Sequence, residues 1–242
     1  MTRLLAGLLM LFCVINAARA EVMVDPVSLS NAAVPRMNCD VKLDKQQMLS
    51  RGVVESRLRS GNVYAAYAEV LSLPAQAAEV ALLRADILRR LGRPEASAWY
   101  SALQKTCVGG LAEHGLGLIA AASGDYGLAR DHLLRATQLV PTDARIRNDL
   151  GYVFIMLGQD AQAEFELHVA SELAPEVRLP AFNLMLLSLL RGDEAAWSAG
   201  RNQWQPDAAE RVNLSQTCQR IQARRLGLTE GAMADCPLVP KA

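Results

Sequence analysis

Gly124, Gly158 and Gly192 stand 34 residues apart, and the residue types around them recur. Eight positions before each glycine comes Leu116, Leu150 or Leu184. Five positions after come Ala129, Ala163 and Trp197; twelve after come Ala136, Ala170 and Trp204. Pro141 and Pro175 follow the first two glycines at the same distance. A period of this length confines the chain to repeat architectures. Each unit is one supersecondary element that cannot bury its apolar face alone, so neighbouring units must stack.

The order of residue types reads as a helix, a tight turn, a second helix and a stop. Glycine ends the first helix because it accepts the left-handed conformation there. Gly117, Gly151 and the alanines fall where two helices cross closely. Leu128, Leu133, Leu134 and Leu139 are expected to fill the rest of that interface. Proline ends the second helix by removing a backbone donor. Composition agrees: 51% of residues are apolar but only 5% aromatic, with Ala and Leu prominent. Small and medium side chains of this kind suit helix packing better than a β-rich core.

The best units are 110–143 and 144–177. Unit 178–206 keeps Gly192 but carries Trp197 and Trp204 in place of alanines, as an end unit would. Upstream, Gly92 and Gly61 anchor two looser pairs within 44–109, and Asp44 to Gln47 has the pattern of a capping box. Five helix pairs are therefore expected over 44–206. Residues 207–226 form one more amphipathic helix, a cap for the end of the stack. Residues 227–242 read as a tail and 21–43, with two prolines and no helical period, as an extended arm.

Residues 1–20 have an early Arg3, an apolar run from Leu4 to Ile15, and Ala18 and Ala20 at the −3 and −1 positions of a cut before Glu21. That is the pattern of a secretory signal peptide, and the run is too short to span a bilayer. Lipidation at Cys13 is the alternative, but bulky Phe12 stands where a small residue normally precedes a lipidated cysteine. The expected compartment is the bacterial periplasm. Four cysteines then remain, Cys39, Cys107, Cys218 and Cys236, and an even number in an oxidising compartment points to disulfides. Three pairings are possible; a short loop closed by Cys218–Cys236 would leave Cys39–Cys107.

Formal charge is zero, which gives no reason to expect a nucleic-acid or anionic-membrane partner. His114, His132 and His168 do not pair at helical spacing, so they form no helical metal site. No nucleophile elbow, phosphate loop or His-Glu-x-x-His motif is present. No enzyme activity and no cofactor are expected.

The spacing Leu-Gly, Gly, Ala, Ala, Pro on a 34-residue period resembles the tetratricopeptide repeat. The resemblance implies an all-α, right-handed superhelical solenoid of helix hairpins with a C-terminal capping helix. It also implies a concave groove, lined by the first helix of each pair, that binds a protein or peptide segment. Carried onto this chain, the groove positions include His114 and Leu118, then Arg145, Asn148, Asp149, Tyr152 and Met156, then Phe182, Asn183 and Leu186. Asn148 and Asn183 would bond a partner's backbone, Arg145 would meet an acid, and Tyr152 and Phe182 would act as apolar anchors. Leu186, Leu189 and Leu190 would equally serve as core beneath the 207–226 helix. The full basic set that clamps a C-terminal carboxylate in chaperone-binding members is missing.

The stretch from Ala144 to Ala195 is also similar to the repeat protein of Flp-type (tight adherence) pilus assembly. That similarity implies a scaffold for an envelope machine, with a secretin or pilus component as partner and at most peripheral outer-membrane association. The alternatives are a pilotin-like outer-membrane lipoprotein and an accessory domain of a peptidoglycan-active enzyme.

Overall fold

The structure, a computed structural model, describes residues 34–229, 231 and 233–238. The signal-peptide reading, Cys13 and the first part of the arm lie outside the described residues. Among those described there are eleven α-helices and no strand; a single bridge joins Asn38 to Ala77. Ten helices form five consecutive hairpins. They are α1 (Lys45–Arg59) with α2 (Val63–Val70), α3 (Ala78–Arg90) with α4 (Ala96–Leu103), and α5 (Gly109–Ala122) with α6 (Tyr126–Leu139). Then come α7 (Ala144–Met156) with α8 (Asp160–Leu173), and α9 (Arg178–Arg191) with α10 (Glu194–Trp204). A final helix, α11 (Ala208–Arg225), follows. The fold is an all-α solenoid of tetratricopeptide type.

The turn inside each hairpin is built the same way. Gly124 and Gly158 have φ of +81° and +72°, a conformation that costs an L side chain about 1–2 kcal/mol. The next residue's N–H then reaches back over the helix end. Asp125 donates to the Ala120 carbonyl at 3.0 Å, and Gln159 donates to that of Phe154 at 2.9 Å. These bonds satisfy carbonyls that the helix leaves open. Gly61, Gly92 and Gly192 share the positive φ.

Proline stops the second helices one residue early. Val140 and Ala174, just before Pro141 and Pro175, have left the helical region at φ −134°, ψ 72° and φ −143°, ψ 71°. The proline ring excludes the helical conformation from the residue preceding it. Helix starts are held by aspartates: Asp125, Asp143 and Asp193 each accept from a backbone N–H of the first turn. Asp44 and Asp207 form reciprocal capping boxes with Gln47 and Glu210.

Within the best hairpins the helices touch at glycine. A Cβ on Gly117 would lie 2.8 Å from Leu133 Cγ, and one on Gly151 would lie 2.6 Å from Leu167 Cγ. The next hairpin reverses the arrangement. Met185 occupies the glycine's position, and Gly200 on the facing helix leaves room for it, with a Cβ–Cγ approach of 2.6 Å. Of the four leucines expected in the α6 interface, only Leu133 is buried; Leu128, Leu134 and Leu139 are exposed. The buried stripe is Ala129, Leu133 and Ala136. A neighbour one residue along the helix points roughly 100° away from it.

Two disulfides cross-link the chain. Cys39 joins Cys107, and Cys218 joins Cys236. The first ties the segment ahead of α1 to the α4–α5 connection. The second holds the chain after α11 against α9, where Cys236 Sγ lies 3.5 Å from the Leu189 carbonyl oxygen.

Candidate functional site

The first helices of successive hairpins line a cavity of about 380 Å³. Helix α3 contributes Leu82, Asp86 and Arg89; α5 contributes Leu111, His114 and Leu118; α7 contributes Arg145, Asn148 and Asp149. Val177 and Leu179, both well exposed, form an apolar rim at the start of α9. The walls therefore alternate aliphatic surface with charge. One wall is braced from behind: the Tyr100 hydroxyl donates to Asp86, and Arg89 Nε donates to the Tyr100 oxygen at 3.3 Å. Burial pushes the Tyr100 hydroxyl well above its ordinary pKa, so it remains a donor at neutral pH.

A chain of polar side chains crosses three helices at the cavity floor. Asn183 Nδ2 donates to Asn148 Oδ1 at 2.9 Å, and Asn148 Nδ2 donates to Asp149 Oδ1 at 3.2 Å. Asp149 Oδ2 lies 2.7 Å from His114 Nε2. Asn148 and Asn183 are both buried. Their amides bond each other rather than standing open to a partner's backbone, and they hold α7 and α9 in register. His114, Asp149 and Asn148 are the members of this chain that line the cavity.

Arg145 is the most exposed of the expected residues, its side chain 74% accessible. Its guanidinium forks onto Asp143, with Nη2 to Oδ2 at 2.6 Å and Nε to Oδ1 at 3.1 Å. Burial opposes ionisation of Asp143, but the bonds from Arg145 outweigh it and hold the carboxyl below its ordinary range. Arg145 is itself part of the cavity lining.

The remaining expected residues sit elsewhere. Tyr152 and Met156 line a separate cleft of about 740 Å³ with Tyr126, Arg220 and Arg224, so they face α11. Leu186, with Leu189 and Leu190, is buried in a core that includes Leu214, Cys218 and Ile221 of α11. Phe182 is half-buried with the Arg178 guanidinium 4.9 Å above its ring. Helix α11 thus covers the C-terminal part of the concave face. Arg225 fixes it there through Asp160 Oδ1 at 2.6 Å and the Ile155 carbonyl at 2.7 Å. Arg224 adds a bond to the Gly124 carbonyl at 3.2 Å.

One buried cluster has no counterpart in the sequence reading. Glu113 accepts from Gln104 at 2.7 Å, lies 2.6 Å from His132 Nδ1, and pairs with Arg135 at 3.2 Å. Burial would raise its pKa, but His132, Gln104 and Arg135 together lower it. One period on, Arg147 and Glu166 occupy the same two places with acid and base exchanged, 2.8 Å apart. Comparing 113 with 147 and 132 with 166 in the aligned repeats shows the exchange, once the two positions are known to face each other.

Among the described residues, no group of three His, Cys, Asp or Glu side chains is placed to hold a metal ion. No helix among them is long and apolar enough to cross a membrane.

Hairpins on a 34-residue period, stacked so that their first helices share a cavity, define a helical repeat solenoid. The comparisons agree with this. The chain is 42% identical over 155 residues to a TPR repeat-containing protein of Pseudomonas aeruginosa, an alignment covering 64% of this chain and 63% of that protein. It spans less than two thirds of the relative's length. Among solved structures, PilF of Pseudomonas aeruginosa superposes with a TM-score of 0.58 at 17% identity, covering 74% of this chain and 85% of that one. MamA of Desulfovibrio magneticus gives 0.51 at 18% identity, covering 68% and 96%. No known protein-family profile matches the chain. Repeat spacing, fold and the curated relative agree on repeats of tetratricopeptide type.

Proposed function

We propose that the protein is a non-enzymatic scaffold that binds a segment of another protein in the cavity between α3, α5, α7 and α9. The observation that carries this reading is the open, mixed lining beside His114, Leu118 and Asp149 on a rigid stack of helices. Aliphatic positions supply burial, while the Arg145–Asp143 pair and Asp149 supply orientation. Because α11 occupies the other part of the concave face, the bound segment is short and enters on the α3–α7 side. The site of action is the bacterial periplasm, and two disulfides suit an oxidising compartment. There the protein serves as an assembly factor for an envelope machine such as the Flp-type pilus, with a secretin or pilus component as partner. The similarity of residues 144–195 to the pilus-assembly repeat protein supports this finer assignment.

A photo-reactive phenylalanine analogue at Leu118 tests the reading in the native host. It should crosslink to an envelope protein, whereas the same probe at Phe165, exposed on α8 and outside the cavity lining, should not. Identical adducts from both positions would remove the cavity as the binding site. A Leu118 adduct containing no pilus or secretin polypeptide would remove the pilus assignment while leaving the scaffold.

A further inference from the structure

The two disulfides face different surroundings. Cys218 and Cys236 are buried among the apolar residues beneath α11. Cys39 and Cys107 are both exposed. Their bond walls a cleft of about 470 Å³ whose other sides include Val41, Leu43, Met48 and Ala77. Lys42, Arg51 and Glu79 add charge of both signs to the same cleft, Arg51 being paired with Glu79. An attacking sulfur therefore has open access and apolar surface on which to dock its carrier. The bond itself holds a strap. Residues ahead of α1 are also attached by the Asn38 N–H to the Gln76 carbonyl at 2.8 Å, by the Ala78 N–H to the Asn38 carbonyl at 3.2 Å, by buried Met37, and by Val34, Val41 and Leu43 packed against the core.

We propose that Cys39–Cys107 is a thiol–disulfide exchange site that receives a dithiol protein of the Cys-x-x-Cys type in this cleft. The partner's thiolate attacks Cys107 Sγ. A new S–S bond forms as the Cys39–Cys107 bond breaks, and its electron pair passes to Cys39 Sγ. That sulfur already accepts the Cys107 backbone N–H at 3.0 Å, a bond that strengthens as negative charge develops and so favours Cys39 as the leaving group. The partner's second thiolate then displaces Cys107 Sγ. Cys39 and Cys107 each end with a proton, and the partner ends as a disulfide. Reduction frees the strap from the α4–α5 connection while leaving the α11 disulfide closed.

The full native chain, treated briefly with dithiothreitol and then with isotope-coded alkylating reagents, reads the order of reduction. Cys39 and Cys107 should label at least about ten-fold faster than Cys218 and Cys236, since exchange rate follows access to the sulfur. Equal rates, or prior reduction of Cys218–Cys236, overturn the proposal. A reduced thioredoxin whose second cysteine is replaced by serine should be trapped as a mixed disulfide on Cys107; an adduct on Cys39 instead, or none, counts against it. Met48→Glu places a charge in the cleft at an exposed position. It should slow thioredoxin several-fold and leave the dithiothreitol rate unchanged. Equal rates for wild type and variant with both reagents would rule out docking in the cleft.

Discussion

A single added carbon separates glycine from alanine at residue 151, and that carbon would lie 2.6 Å from Leu167 Cγ with the Ala163 carbonyl oxygen 3.3 Å behind it. The helices must move apart or Leu167 must leave its rotamer, at a cost of about 1–3 kcal/mol. Gly52 is the control, since a Cβ there meets nothing within 4 Å on an exposed part of α1. Gly151→Ala should lower the urea midpoint, and Gly52→Ala should raise it by the equivalent of about 0.5–1 kcal/mol. Movement of both midpoints in the same direction would contradict the close-crossing account. The need for a small residue at 151 was legible because Gly117 repeats it one period earlier. The partner of Asn148 was not. It is Asn183, which lies on the first helix of the next hairpin, and periodicity identifies equivalent residues rather than touching ones. A buried asparagine and an open one look alike in sequence.

Between elements the informative contact is the pair linking first helix to second helix in the α5–α6 and α7–α8 hairpins. Glu113 with His132, and Arg147 with Glu166, put an acid opposite a base at equivalent positions, with the acid on the first helix in one pair and on the second in the other. Breaking such a buried pair costs about 3–5 kcal/mol, because one charge is left without a partner. Glu113→Arg alone should lose stability on that scale, and Glu113→Arg with His132→Glu, which copies the next repeat, should recover more than half of it. Chemical denaturation of the three proteins measures this, and an additive double variant would show that the two positions do not communicate. Glu113 also carries a pH signature. Its folded pKa is held below the ordinary value of 4.5. Its stabilisation is therefore fully present above pH 4.5 and is lost as pH falls through the lower folded value. Glu113→Gln should flatten the fall in urea midpoint below pH 4.5 while leaving the slope above it unchanged. Helix boundaries were readable at this scale from Asp44, the turn glycines and the prolines. The exposed leucines of α6 were not, because apolar residue type alone does not fix which stripe of a helix is buried.

Across the whole described chain, the two ends of the stack are finished differently. Helix α1 leaves Met48, Leu49 and Val53 exposed at the N-terminal end, and the Cys39–Cys107 bond closes a loop containing α1 to α4. Loop-closure entropy assigns that bond about 4 kcal/mol, so replacing both cysteines by serine should lower the unfolding free energy by that order. The loss should show as early hydrogen exchange in α1–α4. The C-terminal end relies on α11, which was legible as an amphipathic helix and a cap. Its course back over α7 and α9 was not, because Arg224 and Arg225 find their partners in turns far back along the chain. Removing everything after Gln205 would expose Leu186, Leu189 and Leu190 together, an apolar surface that a solenoid end must cover to remain soluble. The truncated protein should self-associate on size-exclusion chromatography and melt several degrees lower than the full chain. Leu49→Lys, a polar change at the other end, should leave both properties unaltered. A truncated protein that stays monomeric with an unchanged midpoint would mean that α11 is a passenger, and the occluded part of the concave face would then belong to the binding surface.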